Sequence, residues 1–391
     1  MNENLKNSAN DIVDNTLQVR IATQTWEKKE VYKLRYDVYV AEMDKPLDRS
    51  IQGAKQITDA LDDQSYLIYV QAGSEIVATQ RITIASAKDY PADLSNAFHM
   101  QKFNAVFPHS LNPKLGLGTK LAIKAPFRNS PAFYLILTEA YRLLRSENSS
   151  LIFTGGNPYV IPLYERVGFR RYAGNFTDPG YSLLIPLVML LEDTDHFRSI
   201  KSPMLRLARK YVNDPTISKR FVQIFPEVTQ HLNTRLITRD TLWEHFEQKL
   251  GISPFSLPLF NHLDAESIKE LLISGMIFSC YQGDNILYEN SFCNDLYILL
   301  SGTLEASSQK SSRFLMPGSP FGNFTFTSKF RQAESILSLT DSELFILTGQ
   351  AHSRYTHLHQ HAAEILLHNI INTHDLLRLC AITTQGGENH E

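Results

Sequence analysis

The sequence predicts an α/β layer domain, a helical connector, and a small β-roll flanked by helices. Three observations carry this. Strand-like and helix-like periods alternate between residues 18 and 191; only the helical period persists from 192 to 251; beyond 254, short β-like runs recur between turn residues. With 391 residues, 43% of them hydrophobic and 20% charged, the chain can bury two or three ordinary cores.

Residues 1–17 form a polar leader, expected to be mobile. A strand is expected over 18–23. A helix over 26–44 places Val31, Leu34, Arg35 and Val38 at helical spacing. Strands at 66–71 and 75–85 flank the turn Ala72, Gly73, Ser74 as a hairpin. A strand at 120–124 precedes a helix at 132–146, whose Phe133, Ile136, Leu137, Ala140 and Leu144 share one face. A strand at 150–154 and a short helix at 158–167 ending on Gly168 follow, then a last strand at 181–191. The domain boundaries are expected at 18–191, 192–253 and 254–380, with a disordered tail at 381–391. In the last domain, helices at 265–274 and 357–379 bracket β-runs at 285–288, 296–300, 303–306, 336–339 and 344–348.

Composition excludes several classes. A net charge of −3 gives no global reason to bind nucleic acid. The three cysteines, Cys280, Cys293 and Cys380, are odd in number and show neither CxxC nor zinc spacing, so no disulfide framework and no metal site are expected. The longest apolar stretch, 182–191, is too short to span a bilayer, contains Pro186, and reads as a buried strand. The N-terminal stretch has no apolar signal region, which points to the cytoplasm. Arg206, Arg209 and Lys210 make the connector locally basic, so peripheral membrane contact or a solvated face are both open.

The chemistry-bearing motifs lie in the first domain. The segment YERVGFR places Tyr164 four residues before Gly168, with Phe169 following. It resembles the YxxxGF element of the GNAT acyltransferase superfamily, which implies a tyrosine close to a thiol leaving group. Upstream, VYKLRYDVYVAEM contains Arg35, and DALDD contains Asp59 and Asp62 just before a strand; the next strand carries Arg81. This ordered set resembles the acyl-homoserine lactone synthases, and more closely the long-chain N-acyl amino acid synthases. The resemblance covers about 170 residues and implies that Arg35, Asp59, Asp62 and Arg81 form a charge network behind the site of the substrate amine. Two arginines and two carboxylates can fix one another and grip an amino acid's charged ends, and Asp59 or Asp62 can orient the amine or relay its proton. The same four residues can equally serve as an ion-pair cluster that only fixes a helix on the sheet. Glu42 is a further candidate of the same kind.

Two departures from the superfamily refine the donor and the product. The stretch FRNSPAF at 127–133 has no glycines where acetyltransferases hold the pyrophosphate of coenzyme A, and Pro131 removes a donor. This favours an acyl chain delivered on an acyl carrier protein. Lys120, Lys124 and Arg128 are the basic candidates for the donor's thioester arm or the carrier's surface. The lactone synthases also carry a glutamate in ExxR spacing, where Leu117 and Lys120 stand here. That disfavours lactone formation and suits an amino acid acceptor. Apolar segments 133–144, 151–153 and 183–187 are compatible with an acyl tunnel, and equally with ordinary core.

The segments LPLFNHL, GDNILYEN and DLYILLSGTL resemble the cyclic-nucleotide-binding fold. The turn Pro320, Phe321, Gly322, Asn323 lacks that family's glutamate. Arg331 is the residue that can meet a cyclic phosphate, although counting back from Asp341 brings Gln332 to that position. Cyclic nucleotide is therefore not expected as a ligand, and the domain reads as a regulator or scaffold. The reading as a whole is an N-acyltransferase with no tightly bound cofactor, taking acyl-carrier or acyl-CoA donors and an amino acid acceptor. An acetyl-CoA-dependent N-acetyltransferase and a non-catalytic signal-binding regulator are the alternatives.

Overall fold

The computed structural model describes residues 17–43, 53–107, 112–178, 182–229, 231–233, 236–309, 311–323, 326 and 331–386. The expected leader up to residue 16 and the tail from 387 lie outside these. The first domain is one sheet built from β1 (Leu17–Ile21), β2 (Tyr66–Ala72), β3 (Glu75–Ser86), β4 (Lys114–Ile123), β5 (Leu151–Gly156), β6 (Arg170–Arg171), β7 (Phe176–Asp178) and β8 (Ser182–Leu190). Their order is β1-β2-β3-β4-β5-β8-β6, with β7 paired to β8. β4 and β5 run parallel and their neighbours antiparallel.

Strand alternation splits the core between the two faces. Leu67 and Tyr69 of β2 face the helix Thr25–Tyr36 through Val31 and Leu34. Ile68 and Val70 face the helix Ala132–Ser146, whose five expected apolar residues are all buried. The Glu27 carboxylate caps the first helix, accepting the backbone N–H groups of Thr23 and Gln24 at 2.7 and 2.8 Å.

Three departures from expectation have physical causes. The helix expected to run unbroken over 26–44 stops at Tyr36 and continues as a π-helical turn, Asp37–Glu42. The strand expected at 120–124 begins at Lys114, because Gly116 and Gly118 hide its β pattern. Gly116 is required there, since a Cβ would stand 2.3 Å from Leu144 and 2.8 Å from the carbonyl of Leu151. The short helices Ala92–Ala97 and Phe103–Val106 escape any periodicity and are held by a cluster of aromatics, Phe98, Phe103, Phe153, Tyr172, Phe221 and Phe225.

The connector is no free linker. Its helix Pro215–Ile224 inserts Phe221 into the first domain's core, and Arg239–Leu250 inserts Leu242 and Phe246 into the second's. Arg206, Arg209 and Lys210 are exposed around the four-residue helix Leu205–Ala208. Among the described residues no helix is long and apolar enough to cross a membrane, and no His/Cys/Asp/Glu group could hold a metal ion.

The second domain opens with the helix Ala265–Ser274 and folds as two four-stranded antiparallel sheets. Their strands are β9 (Met276–Cys280), β10 (Asn285–Leu287), β11 (Leu296–Ser301), β12 (Leu304–Ser307), β13 (Ser312–Leu315), β14 (Pro320–Gly322), β15 (Ser335–Ser338) and β16 (Ser342–Leu347). The sheet orders are β10-β15-β12-β13 and β14-β11-β16-β9. The closing helix is two helices, Gly349–Leu358 and Gln360–Gly386, and the second passes the expected boundary at 380. One apolar cluster joins the domains: Val167, Phe169, Leu187 and Met189 share it with Met276, Phe278, Tyr297 and Phe321.

Candidate active site

The four charged residues singled out by the sequence meet. Arg35, on the helix Thr25–Tyr36, donates from Nη1 to both carboxylate oxygens of Asp62 at 2.9 and 3.1 Å, and to the carbonyl of Ile57 at 3.3 Å. Arg81, on β3, pairs through Nη1 with Asp59, reaches Asp62 at 3.4 Å, and donates from Nε to Thr119 Oγ1 at 2.9 Å. The two carboxylates lock their own turn, since Asp59 N donates to Asp62 Oδ2 at 2.9 Å and Leu61 N to Asp59 Oδ1 at 3.0 Å. The chain of ion pairs thus runs from inside to outside: side-chain exposure is 0% at Arg35, 2% at Asp62 and 3% at Arg81, and 38% at Asp59. Burial acts to raise the Asp59 carboxyl, but Arg81 and then Lys120 outweigh it and hold the group below the usual carboxylate range. Arg35 keeps Nε and Nη2 buried with no partner among the described residues.

Lys120 sits where the sheet is broken. The β3–β4 ladder slips between Thr79 and Arg81, so Lys120 and Leu121 bulge from β4, and Lys120 takes φ +55°. Its Nζ lies 3.6 Å from Asp59 Oδ2. Burial lowers the Lys120 ammonium first; Asp59 opposes this, and Arg81 and Arg35 add to it. Tyr39, on the π-helical turn, donates its hydroxyl to the bulge carbonyl of Leu121 at 2.6 Å. β4 and β5 pair only at Gly116–Ile152 and Leu117–Phe153 and then part, leaving a gap that opens on the bulge side. The helix Ile161–Val167 follows β5 and carries Tyr164, whose phenol shares a hydrogen bond with Thr154 and is pushed up to about 12 by burial. It therefore keeps its proton at neutral pH.

The other basic candidates lie apart. Lys124 pairs with Glu75, and Arg128 with Glu42 at 2.5 Å, both partly exposed at the rim. Glu42 is thus tied to Arg128 and outside the charge cluster. Tyr39, Gln80 and Thr119 were not singled out by sequence. Gln80 is buried, its amide standing 2.8 Å from where a Cβ on Gly118 would be. A polar residue beside Arg81 on an otherwise apolar strand was the one available signal.

In the roll, Arg331 is exposed; it lies 4.3 Å over the Phe292 ring and donates to the carbonyl of Asn290 at 2.8 Å. Gln332 is the inward residue, with its Oε1 buried and without a partner among the described residues. Arg331 forms an isolated bridge with Phe292, and Gln332 is held through its backbone, donating to the carbonyl of Ser291 and accepting from Asn290 N. Asn323 is buried and donates to the carbonyl of Cys293 at 2.9 Å, a structural bond where the cyclic-nucleotide family carries a ligand-binding glutamate. Burial pushes the neighbouring Asp295 up to about 7, with the Gly349 N–H opposing it. A folded pKa above the unfolded one stabilises at low pH, and this contribution is lost as pH rises through 7. Asp295→Asn keeps an acceptor without the charge, so it should raise stability by about 2 kcal/mol at pH 8. No gain should appear at pH 4; thermal unfolding at the two pH values checks this.

Residues 30–191 match the family model described as N-acyl amino acid synthase FeeM, and residues 278–356 match the cyclic nucleotide-binding domain. The first match marks an acyltransferase domain. No curated protein matches the chain. Among solved structures, FeeM, an N-acyl amino acid synthase from uncultured soil microbes, is 14% identical, covering 49% of this chain and 97% of its own, with a TM-score of 0.39. A cyclic nucleotide-binding domain from Methylobacillus flagellatus is 12% identical over 38% of this chain and 86% of its own, at 0.32. The catabolite activator protein of Thermus thermophilus is 21% identical over 33% and 62%, at 0.29.

Proposed function

We propose, from the premise that residues 30–191 form an acyltransferase domain, that it moves a long-chain acyl group from a carrier-protein thioester to the amine of an amino acid. The observation that carries this is the buried chain Arg35–Asp62–Arg81–Asp59, which ends on a half-exposed carboxylate and Lys120 beside the β4 bulge. Asp59, kept ionised beside Arg81 and Lys120, orients the acceptor's ammonium, whose proton passes to solvent to free the attacking nitrogen. The N–C bond forms as the C–S bond breaks, and the second proton shed by the nitrogen goes to the departing thiolate, to which Tyr164 donates a hydrogen bond.

Two features favour a carrier-bound donor. The turn at 127–133 has no glycine, and Pro131 precedes the helix Ala132–Ser146. The roll in this reading takes no cyclic nucleotide, because Arg331 points outward and Gln332 replaces it inside. The test incubates the full chain with mixed amino acids and either acyl-carrier thioester or acyl-CoA, and reads N-acyl products by mass spectrometry. Product from the carrier thioester is expected; turnover confined to acetyl-CoA would overturn the reading.

A further inference from the structure

The two domains meet edge to edge. β6 ends the first sheet and β9 ends a roll sheet, and Arg171 of β6 is hydrogen-bonded to Ile277 of β9. β9 is paired with β16 on one side only. An open edge presents unsatisfied carbonyls, and burying them needs donors from elsewhere. The first domain supplies those donors as side chains. Arg171 donates from Nη1 to the carbonyl of Ile277 at 2.8 Å, and Asn175 donates from Nδ2 to the carbonyl of Ser279 at 3.0 Å, two residues along the same edge. Asn175 also reaches Asp284 at 2.7 Å.

Arg171 does more than seal the edge. Its Nη2 donates to the carbonyl of Leu232 in the connector at 2.6 Å, and its Nε to Glu165 Oε1 at 2.8 Å. Glu165 is the residue after Tyr164, on the same seven-residue helix. Both partners of this pair are buried. One guanidinium therefore ties the Tyr164 helix to the connector and to the roll, using all three nitrogens.

We propose that Arg171 is a positioning residue through which the C-terminal roll sets the Tyr164 helix, making the roll a structural part of the acyl-transfer site. This rests on the functional reading above for its kinetic consequence, though not for the coupling itself. Lysine has the charge for Glu165 but cannot reach three divergent acceptors with one planar fork.

The test uses full-length Arg171→Lys and Asn175→Ala, the second a milder cut at the same edge should the first fail to fold. Both should lower kcat, about tenfold for Arg171→Lys and several-fold for Asn175→Ala, with KM for the amino acid unchanged. In both, amide hydrogen exchange should quicken over residues 161–168 and stay unchanged over 66–86. Wild-type kcat together with wild-type exchange at 161–168 in a folded variant would overturn the proposal. The exchange measurement needs no turnover, so an inactive wild type would count against the functional reading and leave the coupling to be judged on exchange alone.

Discussion

Arg81→Ala lowers acyl-transfer turnover by on the order of 100-fold or more, and also destabilises the first domain. The side chain is buried and holds Asp59, Asp62 and Thr119 at once. Its removal leaves Asp62 with Arg35 alone and frees Asp59 to swing from Lys120. Breaking one side of a buried charge network costs about 3–5 kcal/mol, because the remaining carboxylate stays desolvated. Turnover falls for a separate reason: the acceptor's amine is no longer aimed, and small misplacements are costly in rate. Kinetics on soluble, folded variant, alongside thermal unfolding, separates the two losses. Arg81→Lys keeps the charge and should recover stability in part, and turnover hardly at all, since an ammonium cannot bridge two carboxylates and a hydroxyl in one plane. Turnover at the wild-type level in Arg81→Ala would reduce the cluster to a structural brace.

Gly168→Val should be the most damaging change outside the charge cluster. Gly168 ends the Tyr164 helix at φ +125°, a region that side chains avoid. A Cβ there would stand 2.3 Å from Cε1 and 2.7 Å from Cδ1 of Phe197, which is itself fully buried. Strain and overpacking each cost about 1–3 kcal/mol, and they add at this site. A fall in unfolding temperature accompanied by loss of activity is expected. Phe197→Leu in the Gly168→Ala background should relieve the collision and leave the backbone strain, recovering only part of the loss. Full recovery would show that the positive φ is not needed.

The sequence made much of this legible because its strongest signals are local. Helix 132–146 has an unbroken apolar face, and Arg35, Asp59, Asp62 and Arg81 come into contact because two lie within regular elements and two in the turn just before β2. What stayed hidden is non-local. The bulge at Lys120 depends on a slip between two strands, which no single-strand pattern records. The π-helical turn at Asp37–Glu42 keeps a helical period while turning Tyr39 onto Leu121. Lys124 and Arg128 looked like ligand donors because Glu75 and Glu42 are remote in sequence. The choice between Arg331 and Gln332 turned on one residue, which the backbone bonds of Gln332 to Asn290 and Ser291 fix. Arg171, beside the motif that drew attention to Tyr164, had no local mark at all, since two of its three partners lie beyond residue 230.

The edge contact between β6 and β9 also bears on synthesis. The ribosome releases Glu165 and Arg171 long before Ile277, the acceptor that completes the fork, so the Tyr164 helix waits for about a hundred residues with its anchor unfinished. The apolar surface of Val167, Phe169 and Met189, later covered by Met276 and Phe278, is bare for the same interval. A nascent first half thus carries an unfinished anchor and an uncovered apolar face until the roll is made.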